Sequence, residues 1–202
     1  MQEPSIALSP SMTEYFRGVV DEAIRQRRVE ATDAAVSYVV GLLCSYARPD
    51  NDAATALSQP FTFLLRDAMA ASGSERFHRL RTLGDGVLYT AGFFGEHVAH
   101  KGIDLRYVLS VGRSAYDGAA AMLHLGRKPL DAPDVLGELS KKFERFVEVL
   151  GDVADGTMAS ASQSPESVVQ LYERWLRTGS MRLAEELGAL GLMPSRGAGG
   201  TH

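Results

Sequence analysis

From Tyr15 onward, apolar side chains recur three and four positions apart, and no sustained run alternates at every second position. That spacing lines one side of a helix with about 3.6 residues per turn, whereas a half-buried strand shows period two. The first helix opens at a capping box, Ser11 to Glu14, and buries Tyr15, Phe16, Val19, Val20, Ala23 and Ile24. Thr32 or Asp33 caps a second helix, with Val36, Val39, Val40, Leu43 and Ala47 inward, which stops at Arg48-Pro49. After the irregular stretch 49–59, Ser58 and Pro60 start a third through Phe61, Leu64, Leu65, Ala68 and Met69, closed by Gly73.

Ser74 caps a fourth helix that reaches Gly102 unless Gly84-Asp85-Gly86 breaks it, and Asp104 opens a fifth that ends at Gly126. In the sixth, 134–158, Leu136, Leu139, Phe143, Phe146, Leu150 and Val153 form a coiled-coil-like seam. "ASASQS" is a small-residue linker, and Ser164-Pro165 starts the last helix. Its Val168, Tyr172, Trp175, Leu176, Leu183, Leu187 and Leu190 keep one stripe across Gly179, which reads as a single helix. The expected fold is therefore all-α, a single-domain bundle of about seven helices. Residues 1–10 form a flexible N-terminus, 11–160 the bundle core, 165–191 a C-terminal packing or dimerisation helix, and 194–202 a disordered tail.

The fourth helix is unusual for its glycine. On a helical wheel, Leu83, Val87, Ala91, Phe94 and Val98 make one apolar stripe, flanked by Gly84, Gly92, Gly95 and Ala99. Each interior glycine costs about 0.5–1 kcal/mol relative to alanine, so that flank needs a compensating close contact. The fifth helix offers Gly112, Ala115, Gly118, Ala119, Ala120 and Ala121. The expectation is a central antiparallel hairpin packed through small residues on both helices.

Composition narrows the class of function. The 202 residues are 45% hydrophobic and 23% charged, as in globular proteins, and the formal charge is −4. An acidic balance disfavours nucleic acid, which needs a concentrated basic surface; Arg76, Arg79 and Arg81 read as a solvated helix face. Cys44 lies in an apolar run and has no second cysteine to pair with. "MQEPSIALSPS" lacks the basic and apolar regions of a signal peptide, and no apolar run approaches the ~20 residues that span a bilayer. These features predict a cytoplasmic protein without membrane contact.

Candidate chemistry gathers on the third face of the fourth helix, at His78, Asp85, Tyr89, Glu96 and His100, with His97 beside them. Glu96 and His100 are four apart and can approach one ion, and Glu75 to His78 has the Glu-x-x-His form of di-iron bundles. No second such motif follows, so neither a metal nor another cofactor is expected. Arg113 lies opposite on the hairpin, within reach of Glu96 or Tyr89 as a register-setting pair. Tyr89, Glu96, His97, His100 and Arg113 are thus the candidate ligand-binding residues. No catalytic residue can be named, because no nucleophile–base pair or phosphate loop occurs.

"VAHKGIDLRYVLSVG", Val98 to Gly112, resembles the join after the haem-ligand helix in sensor globins and protoglobins, through Gly102, Ile103 and Tyr107. The family's iron-binding histidine falls on Val98, so the resemblance implies at most a globin-like domain without haem. Two functions follow. One is a non-enzymatic interaction or regulatory protein, an adaptor or scaffold, that pairs with itself or another protein through Tyr172, Trp175, Leu176 and Leu183. The other is a globin-like sensor domain, or a small-ligand or metal-binding helical protein, built on Glu96, His97 and His100.

Overall fold

The computed structural model describes residues 10–48, 60–100, 102, 104–124, 133–161 and 165–192. All regular structure among them is α-helix: α1 Pro10–Arg27, α2 Asp33–Tyr46, α3 Phe61–Ala70, α4 Gly73–His100, α5 Leu105–His124, α6 Val135–Lys141, α7 Phe143–Ala161, α8 Pro165–Thr178 and α9 Met181–Ala189. The helix count exceeds the expected seven because two expected helices are each interrupted. The stretch 49–59, the first nine residues and the tail from Met193 lie outside the described residues.

Several ends follow local chemistry. The Thr32 hydroxyl accepts from the Ala35 N–H at 3.2 Å, capping α2 as expected. Asp104 accepts from the Arg106 N–H at 2.9 Å ahead of α5, and Asp134 does the same for Gly137 ahead of α6. The Ser11 box is displaced: α1 already begins at Pro10, a residue whose missing N–H costs nothing in a first turn. α4 likewise opens at Gly73, not after Ser74.

The chain divides into two compact units, Met1–Gly151 and Asp152–His202. The division falls inside α7, before the "ASASQS" stretch, whose first residues are still helical. In the first unit α4 and α5 form the most extensive pair, with α3 packed on both, α6 against α5 and α2, and α1 on α2. Val20, Val39, Leu80, Val87, Leu88, Val108, Ala115, Tyr116, Leu139, Phe143, Phe146 and Leu150 fill its interior. In the second unit Leu171, Trp175, Leu183 and Leu187 form one buried cluster, with Val168, Tyr172 and Ala184 against it.

Three joints depart from the sequence reading. α4 runs unbroken through Gly84-Asp85-Gly86 and instead leaves helical geometry at Phe94 (φ −127°, ψ 20°), between Gly92 and Gly95. Glycines on both sides weaken the helix there. The sixth expected helix is interrupted at Lys142 alone; its amide still donates to the Glu138 carbonyl at 3.0 Å, so the apolar seam keeps its phase. All six seam residues, Leu136 to Val153, are buried.

The last helix is two helices. Gly179 takes φ +66°, a left-handed conformation that ends α8, and its N–H donates to the Trp175 carbonyl at 2.8 Å. Ser180 then caps α9 by accepting from the Leu183 N–H. The apolar stripe persists across the break because both helices turn their leucines toward one cluster.

The small-residue flank is also shared out differently from the expected hairpin. Gly84 does face α5, but against a large side chain: a Cβ there would lie 2.6 Å from the Tyr116 ring. Gly92 faces α7 instead, where a Cβ would meet the Leu150 Cβ at 2.4 Å, and Gly95 faces open space. Gly112 accommodates Phe143 and Val87.

Candidate functional site

Gly84 admits Tyr116, and Tyr116 carries a hydroxyl that burial forces to find a partner. That partner is Asp85, the next residue of α4. Its Oδ1 accepts from the Tyr116 hydroxyl at 2.7 Å and from the Tyr38 hydroxyl of α2, also at 2.7 Å. One carboxylate oxygen therefore joins α2, α4 and α5. The two phenol rings stand edge to face, centroids 6.5 Å apart, and Tyr116 also packs on Phe143.

Electrostatically the cluster is short of positive charge. The cation associated with Asp85 is Arg81, one turn back on α4, with its Nε 3.9 Å from Oδ2. Burial pushes the Asp85 carboxyl up from its ordinary value; the two hydroxyls and Arg81 pull it back without cancelling the effect. Burial and the adjacent carboxylate hold both Tyr38 and Tyr116 far above the ordinary phenol range, so they remain donors at every physiological pH. The Arg81 Nε is itself buried without a hydrogen-bond partner. This arrangement can hold helices together. Both phenols are held in their protonated, hydrogen-bonding form.

Above it runs a ladder of rings. Tyr89 stacks on Tyr46 of α2 at 4.2 Å and on Phe93 at 4.7 Å, and Phe94 meets Tyr89 edge-on at the helix break, half exposed. Tyr89, a candidate ligand residue, is thus a half-buried rung of this ladder. Glu96, His97 and His100 follow in the last turns of α4, beyond the break, and their side chains lie outside the described residues. Arg113 does not cross the α4–α5 seam. It is exposed, and its backbone carbonyl accepts from the Ser140 hydroxyl at 3.1 Å. Tyr116, three positions further along α5, faces α4 at Gly84, while Gly92 is met by Leu150 of α7. Among the described residues no three His, Cys, Asp or Glu side chains converge on a point that could hold a metal ion.

In the second unit, Trp175 and Leu183 lie inside the buried cluster, while Tyr172 is half buried and Leu176 is exposed. A buried carboxylate ties the same unit together: Asp155 of α7 accepts from the Arg174 Nε of α8 at 2.6 Å. Ser180, the residue before α9, also pulls the Asp155 carboxyl down. Burial raises the Asp155 carboxyl, and Arg174 opposes that shift.

The Asp85 cluster was only half readable. Asp85 stands on the polar face already singled out, but Tyr38 and Tyr116 sit among apolar and small residues that read as core. The available signal was Tyr116 itself, a large polar-tipped ring on the same face as Gly112, Ala115 and Ala119. The globin-like stretch maps onto buried Val98, Gly102 at φ +72° and a Tyr107 that is 40% exposed and hydrogen-bonded to Thr62. Comparison with known proteins found no matching family model, no similar curated protein and no similar solved structure. That likeness therefore rests on its own fifteen residues.

Proposed function

We propose that the protein is a non-enzymatic helical interaction or regulatory protein that works through protein–protein contact, first of all with a second copy of itself. The observation that carries this reading is the flank of α8. Val169 is 56% exposed and Leu176 43% exposed, with half-buried Tyr172 between them. Their spacing of three and four positions is that of a coiled-coil seam. A two-fold pairing would cover such a seam on both chains at once. Among the described residues no helix is long and apolar enough to cross a membrane, and Cys44 is a buried free thiol. Both are compatible with a cytoplasmic adaptor or scaffold. Sedimentation at micromolar concentration tests the reading: a concentration-dependent dimer supports it, and a persistent monomer removes self-pairing.

A second reading, a small-ligand or metal-binding domain, draws on the aromatic rungs Tyr89, Phe93 and Phe94 immediately before Glu96, His97 and His100. An absorbance spectrum with metal analysis of the purified chain separates the two. The interaction reading expects no band beyond the aromatic absorption and no stoichiometric metal. Haem, iron or zinc that is lost on replacing His97 and His100 would favour the second.

A further inference from the structure

We draw no further inference here: the strongest candidate, the stacked aromatic ladder of Tyr46, Tyr89 and Phe93 that ends in the exposed Phe94 where α4 breaks, is an apolar face for which nothing in the structure shows what covers it.

Discussion

An alanine methyl at Gly84 would lie 2.6 Å from a Tyr116 ring that is itself fully enclosed, so neither partner can move aside without disturbing the Asp85 hydrogen bonds. Gly84→Ala should cost about 1–3 kcal/mol through overpacking, and Gly92→Ala a similar amount against Leu150. Gly95→Ala meets open space and should gain about 0.5–1 kcal/mol of helix propensity. Urea denaturation of the three variants checks this, and equal stabilities would contradict the assigned contacts. Asp85 calls for a pH measurement. Its folded-state carboxyl is raised, so the fold binds the proton more readily than the unfolded chain. The resulting stability is fully present below the unfolded value and is lost as pH rises through the folded one. Asp85→Asn keeps an oxygen acceptor for Tyr38 and Tyr116 but removes that titration. Its stability relative to wild type should therefore improve as pH climbs from about 4 to 7. A difference that stays flat would show that the two hydroxyls cancel the effect of burial, and one that runs the other way that they outweigh it. Asp85→Ala tests the same hydroxyls from the other side: leaving them without their acceptor should cost about 1–3 kcal/mol for each one stranded.

Helices are readable in this chain because burial on one side forces apolar residues to recur with the helical period, and that period needs no knowledge of the partner. Joints are harder. Gly179 and Lys142 interrupt helices without shifting the apolar stripe, because the segments on either side face the same core. The break at Phe94 depends on three-dimensional surroundings, with Gly92 pressed on α7 and Gly95 in the open. Partner choice is equally hidden: Gly84 and Gly92 lie on one flank of a wheel yet serve different helices. The same holds for the candidate site, where Asp85 is visible as a polar residue but its two donors come from α2 and α5. Asp155 is the clearest example of an element-level tie. Asp155→Ala removes the buried carboxylate partner of Arg174, a change that typically costs about 3–5 kcal/mol. Hydrogen exchange should show the loss in α8 and α9 first. Replacing Asp155 and Arg174 together with leucine and methionine should restore much of it, since the desolvation of both charges disappears. Unchanged exchange in Asp155→Ala would mean that the tie is dispensable.

At the scale of the whole molecule, the exposed apolar side chains are unevenly spread. Val169, Leu176, Met181, Leu190 and Leu192 all belong to the unit that begins at Asp152, much the smaller of the two. A small unit can bury little of its own apolar surface, which gives self-association a physical motive there. It also changes which substitution is informative. Trp175→Asp or Leu183→Asp would place a charge inside the Leu171–Leu187 cluster and unfold the unit, so a monomer obtained that way says nothing about pairing. Leu176→Asp and Val169→Asp place the charge on the outer flank and leave that cluster intact. Each should keep the helical circular dichroism and thermal stability of wild type while shifting sedimentation from dimer toward monomer. One substitution on a two-fold seam acts twice, so a loss of tenfold or more in dimer affinity is expected, about 1.4 kcal/mol or above. Replacing His97 and His100 should leave the dimer unchanged. A Leu176→Asp chain that remains as dimeric as wild type would place the contact elsewhere, and a wild type that stays monomeric at micromolar concentration would leave the exposed seam without a self-partner.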